Sequence, residues 1–277
     1  MTPFRLADAA RLAVAALDGG GEVVLGVVVD APGEPELVGR RAAWDGEALH
    51  GSLGSATRDK HVRRLLAESP PGAGCQTLPG ELEIYVERIA PPPDLIVVGA
   101  GHIAQPLSRI GKLLGFHVVV IDDRPDFARR ERFPEADRVI VADFADPFAE
   151  VRLGPRSHVV LVTRGHRYDY DCARALARAG AEPAYLGMIG SRRRVRAAFE
   201  QLAAEGFDRE WLARIHAPIG LDIEAETPAE IAVAIGAEMI LATRGGTGEP
   251  LGRRANVVRY VKTLAAASTA ASSGDVG

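Results

Sequence analysis

DLIVVGAGHIAQPLSRIGKLLGFHVVVIDD, residues 94–123, is the stretch that decides the fold. Leu95, Ile96, Val97 and Val98 form an apolar, largely β-branched run, as a strand buried on both faces requires. The run stops at Gly99, Gly101 and Ala104, which match G-x-G-x-x-[G/A]. In that pattern the first glycine makes a tight turn, the second lets a phosphate approach the backbone, and the small third residue lets the next helix lie close to the strand. Ile103, Leu107, Ile110 and Leu114 then recur at the α-helical period, Gly115 is a natural stop, and Pro106 is tolerated in the first turn. Residues 116–121 read as a second buried strand ending in Asp122 and Asp123, roughly 20 residues past the glycines, where an acid can bind a ribose 2′-hydroxyl. Strand, glycine turn, helix, strand and terminal acid in this order predict a βαβ unit with a nucleotide-like ligand.

The surrounding chain is long enough, at 277 residues, for one large or two modest domains. With 47% hydrophobic and 25% charged residues it has an ordinary globular composition, and its net charge of -4 gives no reason to expect nucleic acid or a membrane surface as partner. No secretory signal and no apolar run of about 20 residues is present, so a cytoplasmic location is expected. Cys75 and Cys172 make neither a disulfide framework nor a C-x-x-C site.

The fold class expected is α/β: a Rossmann-like parallel-sheet domain over 94–245, preceded by a smaller α+β domain over 1–90 and followed by a partly disordered tail over 246–277. In the first region, 3–17 has helical spacing, 23–30 reads as a strand, a further strand is expected near Leu37, and Trp44-Asp45-Gly46 marks a tight turn. A helix over 57–68 turns Val62, Leu65 and Leu66 inward, and 82–89 alternates as a half-buried strand. Pro91, Pro92 and Pro93 stiffen the chain as a linker would.

After the opening βαβ, strands are expected at 138–142, 157–163 and 184–189, with helices at 171–179, after Gly190 and at 209–215. Thr227, Pro228 and Glu230 form a capping box with proline at N1. The helix they open, 228–243, is apolar or small nearly all round, which predicts burial on more than one side and suggests a homodimer. A last helical stretch is expected at 257–264.

In an open parallel sheet the loops at the carboxyl ends of the strands line the ligand crevice. Arg164, Gly165 and His166 follow the fourth strand, and Gly190, Ser191 and Arg192 follow the fifth. The second group reads equally as an anion site at a helix N-terminus or as a serine cap with solvated arginines. His102, His166 and Asp169 are the candidates for acid–base work. Ligand hydrogen bonding by His166 is favoured over metal binding, Asp171 reads as the cap of the following helix, and Cys172 as small, buried and inert. No Ser-His-Asp, H-E-x-x-H or P-loop pattern supports a hydrolase or an NTPase.

GAGHIAQPLSRIGKLLGFHVVVIDDRPDFARRERFPEAD, then TRGHRYD, then AYLGMIGSRRR, then HAPIGLDIEAETPAEIAVAIGAEMI, taken together, closely resemble the XdhC/CoxI family, accessory proteins that mature molybdenum hydroxylases such as xanthine dehydrogenase and CO dehydrogenase. The resemblance covers 94–244. It implies binding of the molybdenum cofactor (molybdopterin), its protection during sulfuration, and its delivery, with a molybdenum hydroxylase apo-enzyme and a cysteine desulfurase as partners. One departure stands out: where the family has Gly-Gly-Cys and Cys-Gly-Gly elements, this chain reads Gly54-Ser55-Ala56 and Leu78-Pro79-Gly80, with Cys75 displaced. That departure keeps an alternative open, an NAD(P)-dependent dehydrogenase or reductase acting on a small substrate. On either reading the ligand is expected to lie against Gly99, Gly101, His102, Ile103, Asp122, Asp123, Arg124, Arg164, Gly165, His166, Gly190, Ser191 and Arg192. Asp122 would favour NAD over NADP, with Arg124 pulling the other way.

Overall fold

The structure, a computed structural model, describes residues 4–19, 21–69 and 72–253, apart from the side chains of His166 and Arg253. The helix expected at 257–264 and most of the tail lie outside the described residues. The chain divides into two compact units, Met1–Pro92 and Pro93–Gly277.

The first unit is built on an antiparallel sheet. Helix α1 (Leu6–Gly19) precedes strand β1 (Val23–Asp30), followed by β2 (Arg41–Trp44), β3 (Leu49–Gly51), helix α2 (Ala56–Glu68), β4 (Ala73–Leu78) and β5 (Leu82–Ile89). The strands run in the order β3-β2-β1-β5-β4, with β1 paired antiparallel to both β2 and β5. Val24, Val28, Ala42, Ile84 and Val86 pack with Val62 and Leu66 of α2 in one core, and Leu65 is half-buried beside them. Near Leu37 there is no strand: Pro35–Leu37 is a single 3-10 turn, because proline at its start supplies helical φ and no ladder donor. The Trp44-Asp45-Gly46 turn forms, with the Asp45 carboxylate accepting from the N–H of Glu47 (2.9 Å) and Ala48 (2.7 Å). Leu78-Pro79-Gly80 sits in the β4–β5 hairpin, where Gly80 and Glu81 both have positive φ.

The second unit begins with β6 (Asp94–Val98), α3 (Ala104–Leu113), β7 (His117–Asp122) and β8 (Arg138–Val141). It continues with β9 (Ser157–Leu161), α4 (His166–Arg178), β10 (Tyr185–Met188), α5 (Arg192–Ala204), α6 (Arg209–Ala213) and α7 (Pro228–Arg244). All five strands are parallel, in the order β10-β9-β6-β7-β8. A sixth position exists that the sequence pattern does not announce. His216 N–H donates to Leu186 O (2.8 Å), Met188 N–H to His216 O (2.9 Å) and Ile219 N–H to Met188 O (3.1 Å), so the chain around His216 extends the sheet beyond β10. Numbered along this unit, the sheet therefore reads 3-2-1-4-5-6, the doubly wound Rossmann order.

Residue parity along the strands assigns the two faces. Leu95, Val97, Val118, Val120 and Val160 pack under α3 and α7, with Leu107, Ile235 and Met239. Ile96, Val98, Val119, Ile121, Val159 and Leu161 face α4 and α5, with Leu176, Val195 and Leu202. Each such side chain contributes about 1.5–3 kcal/mol on burial, so both faces of this sheet are strongly held. Two glycines set the spacing of the first face: a Cβ on Gly111 would lie 2.5 Å from Leu95, and one on Gly236 2.9 Å from Ile110 where α7 crosses α3. Burial of α7 covers a wide arc: Ala232, Ile235 and Met239 pack with α3 and the sheet and Ala234 is buried beside Gly220, while Val233 and Ile240 are exposed in the single chain. Its capping box forms as expected, with Thr227 Oγ accepting from Glu230 N–H (3.3 Å) and the Glu230 carboxylate from Thr227 N–H (2.9 Å).

Candidate functional site

The switch point of the sheet lies between β6, whose chain continues to β7 on one side, and β9 on the other. Ligands of doubly wound sheets bind at that point, outside the carboxyl ends of the strands. The turn after β6 is held from below. Gly99 N–H donates to Ile121 O (2.7 Å) and Val162 N–H to Val98 O (2.8 Å), which clamps the turn between its neighbouring strands. Gly99 has φ +107°, and a Cβ there would lie 2.4 Å from Val162 O and 2.8 Å from Thr163 Cα. Gly101 is the opposite case: a Cβ there meets no atom within 4 Å, so its backbone is open to an approaching group. Ala104 is fully buried, the small residue that brings α3 against the sheet, while Ile103 is half-buried and His102 exposed.

Asp122 ends β7 with no exposed surface. One carboxylate oxygen accepts from Arg124 N–H (3.0 Å) and Arg124 Nε (2.8 Å), and the other from Arg124 Nη2 (2.9 Å) and Ala100 N–H (2.7 Å). Those four donors use the whole acceptor capacity of a carboxylate. Burial by itself would raise its pKa, but the hydrogen bonds from Arg124 and Ala100 outweigh burial and hold it below the usual range. Asp122 therefore ties the glycine turn to the end of β7. A ribose hydroxyl, the ligand expected of it from the sequence, would have to displace one of these four donors.

Its neighbour Asp123 is partly exposed and pairs with Arg164 from the loop after β9. The pair is bidentate, with Arg164 Nη2 donating to Asp123 Oδ2 at 2.7 Å, and Asp123 raises the Arg164 pKa further above its ordinary value. Arg164 also lies 4.1 Å over the Tyr168 ring, and Arg124 3.6 Å over that of Phe127, so both guanidiniums are braced by aromatic faces. Strand β6 runs between β7 and β9, so the Asp123–Arg164 pair joins the two sides of the glycine turn.

Asp169 is 3% exposed and accepts from Thr163 N–H (3.1 Å) and Thr163 Oγ1 (2.7 Å). Burial outweighs those bonds and pushes its carboxyl up to about 6. It supports the β9 loop from a buried position, with little surface for the acid–base work expected of it. Helix α4 begins at His166, five residues before the expected 171, with Gly165 as its cap. Asp171 is consequently inside the helix and pairs with Arg174 at 2.7 Å instead of capping. The side chain of His166 lies outside the described residues. Cys172 is fully buried, and burial raises its pKa, so it is no reactive thiol.

Gly190, Ser191 and Arg192 sit at the carboxyl end of β10, where Ser191 caps α5 by accepting from Arg194 N–H (3.4 Å). Arg192 is exposed, and among the described residues no hydrogen bond joins this group to the glycine turn. One polar network was not anticipated from the sequence. Glu238 of α7 accepts from Tyr185 Oη (2.6 Å) and Gly220 N–H (2.9 Å), with His216 Nδ1 3.5 Å away. Its signal was available: a lone acid amid the apolar second half of α7 needs an internal partner. Near His216, at the amino end of β10 and away from the crevice, residues 182–186, Trp211 and residues 213–216 line a cavity of 410 Å³.

Among the described residues no group of His, Cys, Asp and Glu is arranged to hold a metal. The crevice thus offers an open glycine backbone and two braced guanidiniums, suited to a phosphate, but no thiolate for a metal.

Residues 95–239 match the XdhC Rossmann domain. An uncharacterised protein, YqeB, of Escherichia coli K12 is 29% identical over 195 residues, covering 67% of this chain and 35% of that protein. A protein of Bacillus subtilis 168 described as a probable subunit of xanthine dehydrogenase is 31% identical over 157 residues, covering 57% and 45%. The chain thus spans less than half the length of either of these relatives. The crystal structure of a xanthine dehydrogenase from Bacillus halodurans superposes with a TM-score of 0.64 at 24% identity, covering 92% of this chain and 69% of that one, which supports the fold. With the matched segment spanning more than half of the 277 residues and enclosing every crevice residue named above, the chain belongs to the XdhC family of xanthine dehydrogenase accessory-type proteins.

Proposed function

We propose that this protein is a cytoplasmic maturation factor for a molybdenum hydroxylase of the xanthine or CO dehydrogenase type, holding the molybdenum cofactor by its phosphate at the glycine turn. The observation that carries the reading is the placement of this open turn and its two arginines inside the segment that matches the XdhC Rossmann domain. Gly101 would receive the phosphate on its backbone, and Asp122 would keep the turn in place through Ala100. The bound group would supply the molybdenum chemistry; the chain's own residues bind, orient and shield it. Its partners on this reading are the apo-hydroxylase, a cysteine desulfurase and a second copy of the chain. The Bacillus subtilis relative, named for xanthine dehydrogenase, supports a target of that type.

A strain lacking this protein should make the hydroxylase polypeptide without its cofactor, with loading restored by the wild-type gene and not by Gly101→Val. A fully loaded hydroxylase in its absence would overturn the proposal. The second reading, an NAD(P)-dependent oxidoreductase, is favoured by the complete 3-2-1-4-5-6 strand order. It requires turnover of a reduced nicotinamide by the purified protein.

A further inference from the structure

We propose that Asp123 is an internal stand-in for a ligand's phosphate monoester, and that binding transfers Arg164 from Asp123 to that phosphate. This inference rests on the crevice reading above and names what the crevice selects. Asp122, the residue placed to select a ribose diol, has all its acceptor positions taken by Arg124 and Ala100 and no exposed surface. It could accept a hydroxyl only by giving up a bond from Arg124 or the one from Ala100 that holds the glycine turn. Asp123 differs: its side chain is 23% exposed, so it can turn to water. The same Asp123 oxygen that pairs with Arg164 lies 3.9 Å from Arg124 Nε, so one anionic position is shared between two guanidiniums.

Both arginines stay in place without Asp123. Arg124 is fixed by Asp122 and stacked on Phe127, and Arg164 rests on Tyr168 with Phe144 5.7 Å away. A partly exposed ion pair is weak in water, whereas a phosphate dianion offers a fork of acceptors that matches guanidinium geometry. The ligand class is therefore a molecule ending in a phosphate monoester. A 2′-phosphorylated dinucleotide and a pterin phosphate both qualify; a dinucleotide with a bare ribose does not.

The test is calorimetric titration of the full chain with NADP+, with NAD+, and with molybdenum cofactor liberated from a hydroxylase. Asp123→Asn should tighten the phosphate-ended ligand about tenfold, Arg164→Gln should weaken it at least about tenfold, and Arg164→Lys should fall between. Neither substitution at 164 should change NAD+ binding, and thermal melting confirms folding of each variant. A response with NADP+ alone assigns the 2′-phosphate, and one with the liberated cofactor alone assigns the pterin phosphate. Unchanged affinities in all three variants, with Gly101→Val still abolishing binding, would overturn this inference and leave the crevice reading standing. Failure of the wild-type protein to bind any of the three ligands would overturn both.

Discussion

Gly99 and Gly101 should respond in opposite ways to the same added methyl group, and that contrast separates fold from function. At Gly99 a Cβ would sit 2.4 Å from Val162 O, 2.7 Å from Val162 C and 2.8 Å from Thr163 Cα, all backbone atoms of the segment leaving β9. Backbone cannot rotate away as a side chain can, so Gly99→Ala must push β6 and β9 apart at the centre of the sheet. Its φ of +107° adds strain for any L side chain. Strain of about 1–3 kcal/mol and overpacking of about 1–3 kcal/mol together give a loss of about 4 kcal/mol. For a unit of this size that lowers Tm by about 10 °C. Gly101→Ala should leave Tm unchanged, because its Cβ meets nothing within 4 Å, while Gly101→Val abolishes ligand binding by blocking phosphate approach. Calorimetric melts of the variants with ligand titrations of the folded ones decide it. Equal melting of Gly99→Ala and wild type would refute the packing argument, and unchanged affinity of Gly101→Val would refute the site.

Asp169 makes stability depend on pH. Its folded pKa of about 6 lies above the ordinary 3.8, so its contribution is full below about pH 4 and is lost as pH rises through 6, by about 3 kcal/mol. Asp169→Asn should flatten that part of the urea-denaturation profile; parallel profiles for variant and wild type would show the carboxyl titrates normally. Glu238→Ala leaves the Tyr185 hydroxyl and Gly220 N–H without their acceptor and should cost about 3 kcal/mol, whereas Tyr185→Phe, which removes one bond to the carboxylate, should cost about 1.5–3 kcal/mol. Equal stability of Glu238→Ala and wild type would mean that water replaces the carboxylate. Asp122→Ala should release the glycine turn and raise hydrogen exchange at Ala100 N–H, and unchanged protection there would contradict the tie.

The βαβ core was legible because its signals are local. Apolar runs wrote β6 and β7, an i, i+4, i+7 face wrote α3, and Thr227-Pro228 with Glu230 wrote the start of α7. Position along the parallel sheet then put the crevice loops at the right ends of their strands. What failed depended on partners distant in sequence. The sheet position at His216 is short and contains Pro218, so it has neither run nor alternation; only the β10 edge makes it extended. Strand β4 is mostly exposed and carries neither an apolar run nor a clear alternation, and only pairing with β5 defines it. Helix α4 starts at a glycine that makes no side-chain cap, so the nearby Asp171 carries the stronger local start signal. Asp122 was placed correctly at its strand end, but its use was hidden, because Ala100 reaches it only across the fold. Apolarity all round announced the wide burial of α7, but not that Val233 and Ile240 would lie outside it within the single chain.

We propose above all that the turn at Gly101 holds molybdopterin by its phosphate in this XdhC-family protein. Purified protein, expressed where molybdenum cofactor is made, should release molybdopterin on denaturation in near-stoichiometric amount, and Gly101→Val prepared in parallel should release none. Release of NAD(P) with no pterin, or equal pterin from both proteins, would contradict the account.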